Sequence, residues 1–359
     1  MNRRSLLIGA GGTLLLAGAG TAAWTLAVGS MTAYGAYAGR MRARLTAAPD
    51  IRDLVRYAAL AANSHNTQPW RFTAGDGVID ILPDGSRRTP VVDPDGHHLF
   101  VSLGSAAENL SIAAAATGRP GEMELSQDGV RYVFSSGPES AGPLLAAIEK
   151  RQSTRAGYDG RSVPAADLSR LELAAARPKI RLILITDRAR VGRMRDLVIA
   201  GNSMQMADPA FMRELKQWVR FNPRSAMASG DGLFSAASGN PILPTMLGDL
   251  AFDQFFRAGA ENDRYARHIA SSPGVAVFLA EREDKAHWIE VGRACQRFAL
   301  AATSLGLKCA FINQPVEVAS LRSELAALVG ESGLRPDIVM SSATGQSCRS
   351  RRAVQSKRC

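Results

Sequence analysis

The chain has 359 residues, 46% of them hydrophobic, 21% charged and 6% aromatic, which exceeds one typical domain and supplies ample apolar surface for packed cores. A disordered chain and a small disulfide scaffold are thereby excluded. The net charge of +10 sits largely at the ends, with Arg349, Arg351, Arg352, Lys357 and Arg358 in the last eleven residues and Arg3 and Arg4 near the start. The body has no basic helix with interleaved aromatics, so no nucleic-acid partner is expected.

From Ser5 to Gly39 no residue is charged, while Arg3 and Arg4 precede the run and Arg40, Arg42 and Arg44 follow it. A membrane or a translocon must account for it. The twin arginine, the apolar region diluted by Gly9, Gly11, Gly12, Gly18 and Gly20, and small residues at Ala36 and Ala38 resemble a twin-arginine export signal with an A-x-A cleavage site. A transmembrane anchor is the other reading, because the run is long enough to span roughly 30 Å at about 1.5 Å per residue. Residues 1–39 are expected to be signal or anchor, engaging export machinery or membrane through residues 3–39. The body is then exported to the periplasm or cell envelope, or held at the inner membrane.

After Arg40 a helical pattern runs to about Ala62, broken near Pro49, and ends at a polar loop. Residues 70–72 and 78–82 around Gly75-Asp76-Gly77 predict a β-hairpin, since Asp-Gly favours the tight turn. A small-residue helix is expected over 103–117, closed by Gly118, and a strand over 131–134. The Gly/Ser/Pro stretch 135–143 divides the chain into halves spanning residues 40–142 and 143–340. In the second half helices are expected over 144–151, 164–176, from 188, over 288–305 and over 321–329, with strands over 180–185, 275–279 and 337–340. The low-charge segment 225–246 is too long for an ordinary connection and is expected to be a lid or arm. Strands and helices mix without a βαβ rhythm and no GxGxxG follows a strand, so the expected class is α+β, without a dinucleotide-binding fingerprint.

Two motifs carry chemistry. In Asn63-Ser64-His65-Asn66-Thr67-Gln68-Pro69-Trp70-Arg71-Phe72, the groups of Ser64, Asn66 and Gln68 suit the polar edge of a heterocycle, although a plain helix-ending turn has the same composition. In Arg151-Gln152-Ser153-Thr154-Arg155-Ala156-Gly157-Tyr158-Asp159, two guanidinium groups flank a hydroxyl, an arrangement that suits a phosphate monoester or simply a solvated helix end. The four cysteines, Cys295, Cys309, Cys348 and Cys359, form no CxxC pair and no ligand spacing with the five histidines, so no metal is expected. With no nucleophile signature beside them, His65, His97 and His98 are expected to be solvated loop residues.

Taken together the motifs resemble the FMN-dependent nitroreductase family. SHNTQPWRF is similar to its flavin-facing loop, and RQSTRAGYD to its R-x-S-x-[RK]-x-[FY] phosphate motif with one extra residue at Gly157. Gly292-Arg293-Ala294-Cys295-Gln296 and Leu305-Gly306-Leu307 extend the resemblance, which covers roughly Asp50 to Met340. Ordinary members carry the phosphate motif first and build two flavin sites between identical subunits. Here the order is reversed and each half keeps the motif that the other lacks. The resemblance therefore implies the tandem branch, a fused pseudo-dimer with one flavin site that needs no obligate dimer.

By that resemblance Arg151, Ser153 and Arg155 hold the FMN phosphate, Ser64, Asn66 and Gln68 lie near the ring or ribityl chain, and Asn313 and Gln314 belong to the loop near flavin N5. No side chain need act as acid or base. The implied activity passes hydride from NAD(P)H or another donor through FMN to a nitro, quinone or similar small-molecule acceptor. The alternative is a flavin-binding or flavin-sequestering protein without turnover.

Tandem members continue after the last strand with glycine-tyrosine-glycine, a proline-rich turn and an arginine pair, whereas this chain reads Ser341-Ser342-Ala343-Thr344-Gly345-Gln346-Ser347-Cys348-Arg349. A shifted frame of Ser342 to Arg349 can encode glycine, tyrosine, glycine, proline, glutamate, leucine and proline. A frameshift near Met340 is therefore expected. The basic tail 341–359 is expected to be disordered, with no role for Arg349, Arg351 or Arg352 at the phosphate.

Overall fold

The computed structural model describes residues 24–46, 48–126, 128–154 and 156–344. The twin arginine, most of the apolar leader, Arg155 and the tail 345–359 lie outside the described residues. The chain divides into two compact units, one comprising Met1–Arg40 and Trp218–Phe256, the other Met41–Gln217 and Arg257–Arg352.

In the first unit the helices Pro223–Ser229 and Thr245–Phe255 flank a short parallel pair, Val219–Arg220 with Leu233–Phe234. Gly29 takes a left-handed φ of +77°, and a Cβ there would meet the Arg224 backbone nitrogen at 2.9 Å. The Tyr34 and Phe234 rings lie 4.5 Å apart. Within the segment 225–246, expected to be a lid, the end of the helix Pro223–Ser229, the strand Leu233–Phe234 and a 3-10 turn at Ser235–Ser238 alternate with irregular stretches at 230–232 and 239–244.

The second unit contains, in chain order, α1 (Ile51–Ala58), β1 (Trp70–Gly75), β2 (Val78–Pro83), α2 (His97–Ala116), β3 (Gly121–Leu125) and β4 (Val130–Phe134). There follow α3 (Ala165–Ala175), β5 (Ile180–Ile185), α4 (Arg188–Ala207), α5 (Pro209–Gln217), α6 (Ala258–Ala270), β6 (Gly274–Ala280) and α7 (Lys285–Ser304). The series ends with β7 (Leu307–Phe311), α8 (Gln314–Glu317), α9 (Arg322–Val329) and β8 (Pro336–Thr344). The strands form two antiparallel sheets, ordered β1-β2-β4-β3 and β5-β6-β8-β7. The class is α+β.

The two sheets repeat one plan. In each, the long helix, α2 or α7, lies between the second strand and the third, and the sheet neighbours follow the same order. Each helix carries a crossing glycine, Gly104 or Gly292, and is closed fourteen residues later by Gly118 or Gly306 in the left-handed region, where a side chain would be strained. A Cβ on Gly104 would stand 2.0 Å from Ile289 O, and one on Gly292 would stand 2.0 Å from Val101 O. The helix backbones therefore touch.

One core cluster is formed by Ile79, Ile81, Val130 and Tyr132 of the first sheet, Phe278 of the second and the apolar faces of α2 and α7. Another packs Val275, Val277 and Val339 against α4 and α9, so β6 is buried along its whole length on both faces. A strand covered twice has no polar alternation, as its sequence GVAVFLA shows. Helix α2 is the one described helix long and apolar enough to cross a membrane, yet most of it is buried in this core. Charge enters the helix pair at buried Glu108, which Arg177, Arg293 and Arg297 surround. Strand β8 runs to Thr344, beyond the expected end at Met340, and Ser341 and Ser342 are buried in it.

Candidate functional site

The first motif leaves α1 as a strained loop. His65, Asn66 and Gln68 have φ of +47°, +52° and +51°, conformations that cost about a kcal/mol or more each unless the surroundings impose them. The surroundings do so at several points. Asn63 Oδ1 accepts from Gln68 N at 2.8 Å, Ser102 Oγ of α2 accepts from Ser64 N at 3.3 Å, and Arg87 Nη1 donates to Thr67 O at 2.9 Å. Pro69 and Trp70 are buried below, while Asn66 is exposed. Gln296 of α7 accepts from Ala62 N at 3.2 Å and donates to Asn109 Oδ1 at 2.8 Å, and Asn109 donates to Tyr57 O. Both amides are fully buried, so the loop's entry is fixed from both long helices.

The second motif is pinned to the other sheet. Thr154 N donates to Cys309 O at 2.8 Å and Ser153 forms a parallel bridge with Cys309, which makes the segment an added edge on β7. Arg42 Nη1 holds the preceding turn by donating to Glu149 O and Arg151 O. Arg151 Nη2 donates to Leu60 O at 3.1 Å, three residues before the first motif. The two motifs therefore meet at Arg151.

The electrostatics of Arg151 set it apart. Burial lowers its pKa to about 10, helped by Arg42, so it remains a cation at neutral pH. Its Nε is buried without a partner, and among the described residues no carboxylate pairs with it. Beside it burial pushes the Cys295 and Cys309 thiols up to about 12, so they supply no anion. A desolvated guanidinium with no carboxylate partner among the described residues is a costly arrangement that a phosphate would complete.

Asn313 and Gln314 follow β7. Asn313 Oδ1 accepts from Val339 N at 2.9 Å, so its side chain ties the loop to β8. Gln314 starts α8, and its Oε1 is buried with no partner. The cavity lined by Leu45, Pro49, Ala116, Arg119 and Leu145 includes none of these residues. Among the described residues no cluster of His, Cys, Asp and Glu is able to hold a metal.

His97 and His98 correct the sequence reading. They are not solvated loop residues but the buried first turn of α2, whose backbone N–H groups at His98 and Leu99 are capped by Asp93 at 2.9 Å. His65 does lie in the loop, half-buried. His97 Nε2 is 2.9 Å from Asp337 Oδ1, and Asp337 Oδ2 accepts from Ala280 N. Burial raises the Asp337 carboxyl to about 7 and lowers the His97 imidazole to about 3.

The two groups give opposite pH dependences. The raised carboxyl contributes stability that is full at low pH and is lost as pH rises from about 4 through its folded value. The lowered imidazole contributes stability present above about pH 6.5 and lost as pH falls. Asp337→Asn leaves the histidine's dependence alone, so its melting temperature should fall more steeply than the wild type's between about pH 6.5 and pH 4.5. Parallel curves would refute the assignment.

No family model matches the chain. A Mycobacterium tuberculosis protein named as an NAD(P)H nitroreductase is 25% identical over 305 residues, covering 82% of this chain and 84% of its own length. A second protein of that organism, named in the same way, is 24% identical over 295 residues, covering 78% and 85%. Among solved structures, a Bacteroides fragilis nitroreductase with bound FMN aligns with 61% of this chain and 95% of its own, at 14% identity and a TM-score of 0.38. An FMN-dependent nitroreductase from Mycobacterium smegmatis in complex with NADPH aligns with 56% and 87%, at 16% identity and the same TM-score. The names of the sequence relatives support the nitroreductase family for this chain.

Proposed function

We propose that the chain is an FMN-binding oxidoreductase of the nitroreductase type, with one flavin site assembled from the two fused halves. The observation that carries this reading is Arg151, a part-buried cation whose Nε is buried and which has no carboxylate partner among the described residues, placed where the two motifs meet. Arg151, Ser153 and Arg155 would hold the phosphate, with Ser64, Asn66, Gln68 and the Asn313-Gln314 turn on the ring side. When bound, FMN supplies two-electron chemistry between NAD(P)H and a nitro, quinone or similar acceptor. The protein's part is to anchor the phosphate charge and to fix the ring-side loop through Gln296 and Ser102.

The fused reading draws support from the repeated strand order and from the asymmetry of the halves. Strand β3 ends at Leu125 and β4 begins at Val130, with Ser126 N donating to Gly129 O, whereas residues 312–335 link β7 and β8 and contain the Asn313-Gln314 turn. Residues 3–39 supply the export signal or membrane anchor in this reading, which places the body in the cell envelope or at the inner membrane. The test is flavin stoichiometry. Purified protein should release one FMN per chain on denaturation, and NAD(P)H should bleach the bound flavin without oxygen. Two flavins per chain, or none after reconstitution, would overturn the single fused site. Bleaching by dithionite but not by NAD(P)H would reject the nicotinamide donor.

A further inference from the structure

The binding roles above leave the acid–base pair His98–Glu317 unused. His98 Nε2 is buried without a hydrogen-bond partner, and Glu317 Oε1 lies 3.7 Å from it. The other oxygen of Glu317 accepts from Gln205 Nε2 at 2.6 Å, which fixes the carboxyl's orientation toward the ring. On the α2 side, the backbone carbonyl of His98 accepts from Ser102 Oγ at 2.6 Å, one turn further along the helix, and that hydroxyl accepts from Ser64 N of the strained loop. On the carboxyl side, Glu317 stands one helical turn beyond Gln314, whose own Oε1 is unpartnered. The pair thus bridges the two ring-side segments of the candidate site.

We infer that His98 and Glu317 hold between them the proton that acceptor reduction at this site consumes. The inference rests on the proposed function and adds a proton source to it. Reduction of a quinone balances as NAD(P)H plus one proton plus quinone giving NAD(P)+ and hydroquinone. The donor contributes a hydride, which carries both electrons. As the acceptor oxygen gains its O–H bond, the O–H of Glu317 breaks, and the carboxylate left behind is reloaded from water through His98.

Burial favours the neutral form of the pair. Burial raises the Glu317 carboxyl, and Asp93 and Glu214 push it the same way against the opposing effects of His98 and Gln205. Burial lowers the His98 imidazole, with His97 and Arg335 acting in the same sense and Asp93 and Glu317 against it. The carboxyl therefore holds its proton more firmly than an ordinary surface glutamate does.

The experiment uses the full chain loaded with FMN, reduced with dithionite and mixed with either menadione, which takes hydride and a proton, or ferricyanide, which takes only electrons. Glu317→Gln should slow the menadione reaction by about tenfold or more and flatten its pH profile, while ferricyanide reoxidation stays within about threefold of wild type. His98→Gln should behave alike, and it keeps the test decisive should Glu317→Gln fail to fold. Equal losses with both acceptors, or no loss with menadione, would overturn the pair's role. Infrared spectra of the flavin-free protein give a readout independent of turnover. At pH 7 the wild type should show a protonated-carboxyl stretch that Glu317→Gln removes, and its absence from the wild type would also overturn the inference. A wild type that binds no FMN is a different failure, that of the proposed function itself.

Discussion

Replacing Arg151 with alanine is expected to weaken FMN binding roughly ten- to a hundredfold while leaving riboflavin binding almost unchanged. A charge-assisted hydrogen bond is worth about 1.5–3 kcal/mol, and each 1.4 kcal/mol is tenfold in affinity. The contrast between ligands follows from position. Arg151 Nη2 is committed to Leu60 O and its Nε is buried without a partner, so the charge awaits an anion and offers a neutral ring little. Asn66→Ala, on the exposed tip of the loop, should weaken both ligands alike. Titration of each flavin, followed by quenching of its fluorescence, measures the four affinities. Equal weakening of FMN and riboflavin by Arg151→Ala would move that residue off the phosphate.

The same substitution should change the stability of the flavin-free protein little. Removing a part-buried cation that has no carboxylate among the described residues relieves a desolvation cost, whereas leaving Leu60 O without its donor adds about 1–3 kcal/mol. These effects oppose each other. A severe loss of stability in the flavin-free variant would show that Arg151 is chiefly a clamp between the halves.

Much of the fold was legible where a local signal and the tertiary structure agree. Asp76-Gly77 announced the β1–β2 turn, and the apolar run IRLILI gave the limits of β5. Strand β3 gave a weaker signal, because GEMEL is short and largely exposed, with Met123 alone packed against the core. The start of α2 was hidden differently. Its cap, Asp93, lies several residues upstream, and Gly96 stands at the position where a capping side chain is usual. The stretch Pro94-Asp95-Gly96-His97-His98 therefore reads as solvated loop, and only Asp337, distant in sequence, shows that His97 is buried.

The site divides in the same way. Its anchoring motifs were visible because they are short and contiguous, and the structure joins them at Arg151 and Leu60. Asn63, Ser102, Gln296 and Glu317 were missed as working residues, since each acts through a partner brought near by the fold. Asn63 had the one usable local signal, an asparagine opening a turn, where its side chain competes for backbone N–H groups.

Substituting alanine for Gly292 should cost about 3 kcal/mol of stability or more, the upper end of what overpacking a core usually exacts. The added methyl would lie 2.0 Å from Val101 O and 3.0 Å from the Gly104 Cα, and no rotamer relieves the clash because both neighbours are backbone. Helices α2 and α7 must separate along a contact that fixes most of the core. Gly192→Ala is the control, since it lies within α4 with nothing inside 4 Å of its Cβ position and should be neutral or stabilising by roughly 0.5–1 kcal/mol. Denaturant midpoints measure both, and equal midpoints for Gly292→Ala and wild type would disprove the close crossing. The damage should reach the site as well. Gln296 lies one turn beyond Gly292 and holds Ala62 N at the mouth of the strained loop, so spreading the helices should loosen that anchor and lower flavin content even in molecules that remain folded.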